Sequence, residues 1–302
     1  MIVDRIYAYL GGELAQANAA FLDTATQAFR RSLVRNLTDH RDEERRHLSA
    51  SSPWYCTRRI LYGMRGAERA PFAPRSRLAF LMGDVLEATG VMLTRLAGVD
   101  VLSPSLDGIQ KSCTLKIAGA EIVGHIDMTV KDPNGIEIPV DWKSMADYGF
   151  AEFEAAIRDP SSKWWTEERW GYLTQLRTYM KAERAPYGVF VGINKNTGHM
   201  AELHVPPDPT WEQEMETRVA FVEARKPIPE MPPRPSWALT EVKTGDNLRA
   251  DGSKGGVEEV KAWRCGYCPF VAACWEGFAL VPLKAKPVWR KAISAEANVA
   301  AK

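Results

Sequence analysis

Residues 124–144 read Gly-His-Ile-Asp-Met-Thr-Val-Lys-Asp-Pro-Asn-Gly-Ile-Glu-Ile-Pro-Val-Asp-Trp-Lys-Ser. The turn formers Asp132-Pro133-Asn134-Gly135 divide this stretch into two extended runs. In the second run Ile136, Ile138, Val140 and Trp142 point to one face, and Glu137, Asp141 and Lys143 point to the other. Asp141 and Lys143 are then neighbours on one strand face, about 6–7 Å apart. Closing the turn brings Asp127 across the hairpin toward Asp141. Two carboxylates beside a lysine suit a hard divalent cation next to a phosphate. Mg²⁺ or Mn²⁺ binds carboxylates, keeps several waters and lowers the pKa of one of them. The lysine offsets phosphate charge and positions, or helps deprotonate, the attacking water.

Outward from this hairpin the period of the hydrophobic pattern assigns the neighbours. Residues 113–117, 121–130 and 136–144 read as three short strands of a meander, with a first turn at Ala118-Gly119. Residues 76–96 form a helix with Leu78, Leu81, Val85 and Met92 at helical spacing. An aromatic-rich helix covers 164–182, strands follow at 187–193 and 199–205, and a helix at 209–225 runs into the proline-rich stretch 226–235. Residues 14–48 read as helical, and Ser51-Ser52-Pro53 breaks that helix ahead of another near Trp54. The composition of 242–258 predicts a mobile surface loop, and the tail beyond Lys284 is expected to be poorly ordered. This order predicts an α/β fold with a mixed central sheet flanked by helices.

The chain has 302 residues, of which 45% are hydrophobic and 25% charged, with a net charge of +1. Such values exclude a disordered or fibrous chain. No global basic field is present, although arginines crowd residues 30–77 and a neutral total accommodates a basic groove. The first residues carry no secretory pattern, and no stretch approaches the roughly 18 apolar residues of a membrane span. Five cysteines in a chain without an export signal point to metal-type use rather than disulfides. The expectation is a cytoplasmic protein without a membrane partner.

Three of those cysteines, Cys265, Cys268 and Cys274, form one C-terminal knot, and Cys56 stands far upstream. Four thiolates supply the ligands of a tetrahedral Zn²⁺ or of a 4Fe–4S cluster, and spacing alone does not separate the two. Cys113, in a predicted strand, reads as a core residue. A centre at Cys56, Cys265, Cys268 and Cys274 would close a long loop and tie the chain ends together.

The motifs Gly124-His125-Ile126-Asp127 and Pro139-Val140-Asp141-Trp142-Lys143 resemble the PD-(D/E)XK nuclease superfamily, whose signature is an acidic residue, a gap and then acidic-x-Lys. Gln175-Leu176-Arg177-Thr178-Tyr179 places Gln175 and Tyr179 at i, i+4 on one helix face. It looks like the Gln-x-x-x-Tyr element of RecB-type nuclease domains, where such residues support the active site and DNA. Gly83-Asp84-Val85-Leu86-Glu87 resembles the helix that adds a further metal ligand there. Glu87 is that candidate, and a glutamate rather than a histidine favours the phage and lambda-exonuclease-like form of the site. The one-plus-three cysteine arrangement resembles the iron–sulfur staple of the AddB nuclease domain and of CRISPR-associated four-cysteine exonucleases, which favours 4Fe–4S over zinc.

The resemblance implies a restriction-endonuclease-like core over about 76–225. An N-terminal helical segment, 1–75, carries Cys56, and a C-terminal segment, 226–302, carries the other cluster cysteines. It implies a divalent-metal-dependent DNA exonuclease acting in phage or mobile-element recombination, DNA repair or CRISPR spacer processing. Asp127, Asp141 and Glu87 would hold Mg²⁺ or Mn²⁺, Lys143 would act on water or phosphate, and Gln175 and Tyr179 would support the site. Expected partners are DNA, single-stranded or as duplex ends, recombination or CRISPR adaptation proteins, and further copies of the chain. Arg58 and Arg59 are candidate phosphate contacts, and Lys163-Trp164-Trp165 with Arg169-Trp170 sets cations among stacking rings. The competing class is a catalytically silent, nuclease-derived DNA-binding or assembly subunit with a structural metal site.

Overall fold

The computed structural model describes residues 2–13, 48–71, 74–104, 110–167, 171–227, 230–234, 239–248, 254–260, 263–281 and 288–292, with some positions between 22 and 34. In chain order the elements are α1 (Ile2–Leu10), β1 (Leu48–Ser49), α2 (Thr57–Met64), α3 (Pro74–Leu96), β2 (Val101–Ser103), β3 (Lys111–Ile117), β4 (Ala120–Ile126), β5 (Met128–Lys131) and β6 (Glu137–Met145). There follow α4 (Asp147–Arg158), α5 (Tyr172–Glu183), β7 (Gly188–Asn194), β8 (Met200–Val205), α6 (Pro209–Arg225), β9 (Leu239–Leu248), β10 (Lys254–Val260), β11 (Ala279–Val281) and β12 (Val288–Ala292). Most of the helix expected over 14–48 lies outside the described residues. No described helix is long and apolar enough to cross a membrane.

Contacts divide the chain into two compact units, residues 1–56 with 73–227, and residues 57–72 with 228–302. The first is a mixed α/β unit. Its larger sheet has the order β2-β5-β6-β7-β8, with β6 and β7 parallel and the other pairs antiparallel. The parallel pair needs a crossover, which α4 and α5 supply. Alternation along β7 splits the core: Val189 and Val191 pack with Val140, Trp142 and residues of α1 and α3, while Phe190 packs with Phe153 of α4 and Leu176 of α5. Helices therefore cover both faces of a mixed sheet. At Gly90 of α3 an added Cβ would stand 2.7 Å from the Trp142 ring, so only glycine lets α3 settle directly on β6.

The expected three-strand meander is corrected at Asp127. The run 121–130 is two strands, β4 and β5, which belong to different sheets. β4 pairs with β3 antiparallel and with β1 parallel in a sheet of its own. β5 pairs with β6 from Lys131↔Glu137 to Met128↔Val140, and there the pairing ends. Residue alternation continues unbroken through Ile126, so nothing in the hydrophobic pattern marks the change of sheet. A second correction concerns the helix expected over 164–182. Lys163–Thr166 is a single turn, and α5 begins after Gly171, whose φ of 78° is left-handed and whose Cβ would meet the Ser51 carbonyl oxygen at 2.8 Å.

The second unit carries α2 and an antiparallel sheet in the order β11-β12-β10-β9. The surface loop expected over 242–258 is instead built around a hairpin, with Leu239↔Val260 and Val242↔Val257 in register. Its Gly and Lys content suggested a loop, but Val242, Val257 and Val260 supply the β-branched residues of a ladder. Within the expected tail, β12 pairs with β10 and β11.

Candidate active site

The open edge of β6 makes the site. Past Val140 its partner β5 has left, so among the described residues no strand pairs with Asp141 to Met145 on that side. The backbone N–H of Trp142 would be stranded there, and the Asp127 carboxylate fills the place, with Oδ2 accepting from Trp142 N at 3.0 Å. The residue at which the chain changes sheets thus carries the carboxyl that the departing strand leaves at the edge. A cleft of about 420 Å³ opens at this gap, between α3 on one side and β4 and α5 on the other.

Asp127, Asp141, Lys143 and Glu87 come together here. Asp141 is fully buried and forms an ion pair with Lys143 through Oδ2, while its buried Oδ1 has no hydrogen-bond partner among the described residues. Lys143 Nζ also stands 4.7 Å from the centroid of the Tyr172 ring. Burial alone would lower the lysine pKa, but Asp141 and Asp127 outweigh it and hold the ammonium above its usual range. Glu87 reaches the cleft from α3, three residues before the Gly90–Trp142 contact, and Gln110 Nε2 donates to its Oε1 at 2.7 Å. Burial first, and then the neighbouring Asp84 carboxylate, pushes the Glu87 carboxyl up to about 7. Burial, then Glu87 and Asp141, likewise raises Asp127 well above the ordinary carboxylate range.

Asp127, Asp141 and Glu87, with Asp84 beside Glu87, thus crowd the Lys143 ammonium, and ionised together they would outnumber its charge. Among the described residues no three His, Cys, Asp or Glu side chains stand as a ready-made metal cage. Mg²⁺ needs none, since it keeps several waters and takes one or two carboxylates. The vacant Oδ1 of Asp141 and the raised carboxyls of Asp127 and Glu87 fit a hard cation on charge and donor type.

Gln175 and Tyr179 of α5 bear on β4, the strand that leads into Asp127. Gln175 Nε2 donates to the Tyr179 hydroxyl at 2.9 Å, and that hydroxyl donates to the His125 carbonyl at 2.7 Å. A Cβ on Gly124 would fall 2.5 Å from the Tyr179 ring, so the glycine of Gly-His-Ile-Asp admits that ring against β4. His125 itself is exposed and lines the cleft. The sequence reading missed Tyr172 and Gln110. Tyr172 was within reach, one turn before Gln175 on the same helix face, whereas nothing local ties Gln110 to Glu87.

Arg58 and Arg59 belong to the second unit. There the buried Arg58 donates through Nε to Cys274 Sγ at 3.1 Å, through Nη2 to the Tyr62 hydroxyl at 3.1 Å, and to the Pro232 carbonyl. Trp164 and Trp165 are core residues rather than stacking platforms: Trp164 packs edge-on against Phe153 at 5.0 Å, and Trp165 Nε1 donates to Ala156 O. Residues 168–170, with Arg169 and Trp170, lie outside the described residues. No disulfide joins the five cysteines. Cys265 and Cys268 are half-buried and bracket a turn, Cys268 N donating to Cys265 O, and Cys274 is buried. All three belong to the second unit, and Cys56 belongs to the first. Cys113 is a core residue whose thiol burial pushes up to about 11.

No family model and no curated protein matches the sequence. Among solved structures, that of SSO0001 aligns with 82% of this chain and 94% of its own, at 16% identity and a TM-score of 0.41. An alkaline exonuclease from Laribacter hongkongensis, LHK-Exo, aligns with 61% of this chain and 89% of its own, at 13% identity and a TM-score of 0.40. Its complex with dAMP aligns with 67% and 91%, at the same identity and TM-score. Likeness at this level does not carry a fold or an activity from one protein to another.

Proposed function

We propose that this chain is a divalent-metal-dependent deoxyribonuclease that digests DNA from its ends. The observation that supports this reading most is the crowding of Asp127, Asp141 and Glu87 around Lys143 at the open edge of β6, beside a cleft lined by Asp127, Glu87 and Lys143, where Asp141 Oδ1 has no hydrogen-bond partner among the described residues. Asp127 and Asp141, joined by Glu87, would hold Mg²⁺ or Mn²⁺. A cation so held supplies Lewis acidity toward phosphate and a water of lowered pKa. Lys143, kept as an ammonium between Asp141 and the Tyr172 ring, donates to a phosphate oxygen and offsets the charge that develops there. Gln175 and Tyr179 hold the His125 carbonyl, and with it the backbone that aims Asp127.

Linear DNA labelled at either end, single- and double-stranded in parallel, tests the proposal in Mg²⁺ and in Mn²⁺. Cation-dependent shortening from an end is the expected result. DNA binding without cleavage in either cation would instead identify a silent binding subunit, and neither binding nor cleavage would end the nucleic-acid reading altogether. The setting we favour is mobile-element recombination, repair or CRISPR spacer processing.

Cys265, Cys268 and Cys274 are proposed as thiolate ligands of an iron–sulfur cluster, with zinc as the alternative. Purification without oxygen is expected to give coloured protein that carries iron and sulfide. Colourless protein with stoichiometric zinc would select the alternative, and protein free of both metals would remove the centre.

A further inference from the structure

We infer that the Tyr172 hydroxyl is a second donor to the scissile phosphate, working beside the Lys143 ammonium. This rests on the nuclease reading above and adds a catalytic residue to the same site. Tyr172 is half-buried, lines the cleft and opens α5. Its place is fixed from behind. Gly171 lies against the Ser51 carbonyl, where a side chain would collide, and Gln175 N donates to Gly171 O to close the first turn. The Tyr172 ring then stands 4.7 Å from Lys143 Nζ and, centroid to centroid, 5.9 Å from Trp164. Both contacts are made by the ring. The hydroxyl has no hydrogen-bond partner among the described residues.

A phenol packed into a protein ordinarily finds such a partner. Neighbouring polar side chains that line the cleft have theirs: Ser51 Oγ pairs with the Tyr55 hydroxyl at 3.2 Å, Gln175 Nε2 donates to the Tyr179 hydroxyl, and that hydroxyl donates to the His125 carbonyl. A phosphodiester presents two non-bridging oxygens that accept hydrogen bonds. The ammonium and the phenol, side by side, supply one charged and one neutral donor for them, and bonds to a charged acceptor are the strong kind. Charge grows on these oxygens as the phosphate reacts, so both bonds tighten in the transition state rather than on binding. The positive end of α5 lies at the same wall, with no acidic residue in its first turn.

Tyr172→Phe tests this, because it keeps a ring over Lys143 and removes the hydroxyl alone. In Mg²⁺, kcat on linear DNA is expected to fall about tenfold to a hundredfold, the scale of one hydrogen bond to a charged group. KM should stay parent-like, as should Mn²⁺ affinity measured by calorimetry without DNA. Circular dichroism checks the variant. A phosphorothioate replacing either non-bridging oxygen of the linkage nearest an end probes the parent without any substitution, since sulfur accepts hydrogen bonds weakly. In Mn²⁺ one diastereomer should slow the parent and slow Tyr172→Phe less, because the variant has no such bond left to lose. Parent-like kcat in Tyr172→Phe overturns the proposal, and so does a kcat loss matched by an equal loss of Mn²⁺ affinity. Equal penalties in the two proteins for both diastereomers, or full-rate cutting of both by the parent, overturn it as well. In each case cation-dependent shortening of DNA by the parent keeps the nuclease reading. A parent that shortens no DNA in Mg²⁺ or Mn²⁺ overturns both.

Discussion

Lys143→Met is expected to lower cation-dependent DNA hydrolysis by about 10³-fold, the scale on which losing one charged donor to a developing phosphate charge is felt. The same change should destabilise the cation-free protein by about 3–5 kcal/mol, because it strands the fully buried Asp141 without its partner. Both consequences have one cause, since among the described residues the ammonium is the positive group paired with Asp141. Denaturant unfolding and a DNA degradation assay measure them side by side. Adding Asp141→Asn to Lys143→Met removes the stranded charge, so the double variant should recover much of the lost stability and none of the activity. Lys143→Met that cuts DNA at the parent rate would remove the lysine from the reaction.

Mg²⁺ is expected to raise the unfolding temperature more near pH 8 than near pH 6. Glu87, raised to about 7, and Asp127, raised well above its ordinary value, hold protons more tightly folded than unfolded. Their contribution to stability without a cation is complete below the unfolded carboxylate range, about 4, and is lost as pH rises through about 7. A cation reverses the balance, because it binds the ionised carboxylates that folding brings together. At free Mg²⁺ of about 100 times Kd the stabilisation is about 2.7 kcal/mol, roughly 5–10 °C for a chain of this size. Near pH 6 competition from protons should shrink the increment. Thermal scans with and without Mg²⁺ at both pH values check this, and equal increments would place the cation somewhere other than these carboxyls.

The candidate site was legible where its parts lie close together in sequence. Asp-Pro-Asn-Gly announces the β5–β6 turn, and two-residue alternation sets Asp141 beside Lys143, where the ion pair is found. Gln175 and Tyr179 one helical turn apart were equally readable, and they bond to each other. What escaped depends on tertiary placement. Gln110 meets Glu87 across 23 residues with no local signal. Trp164 and Trp165 look like stacking platforms in sequence, yet the βαβ crossover turns them onto Phe153 and Ala156. The β9–β10 hairpin was hidden because glycine and lysine suggest a loop wherever strand pairing is not yet known. The change of sheet at Asp127 was invisible for a different reason, since side chains keep alternating while hydrogen-bond partners are exchanged.

On the proposed nuclease reading, that exchange at Asp127 ties the site to the assembly of two sheets. The carboxyl that meets Trp142 stands at the junction between β4, paired with β1 and β3, and β5, paired with β6. A nascent or half-assembled chain that has completed one of these ladders would own the right amino acids and still be inert. On that reading, both ladders are needed before the carboxyl stands at the edge of β6.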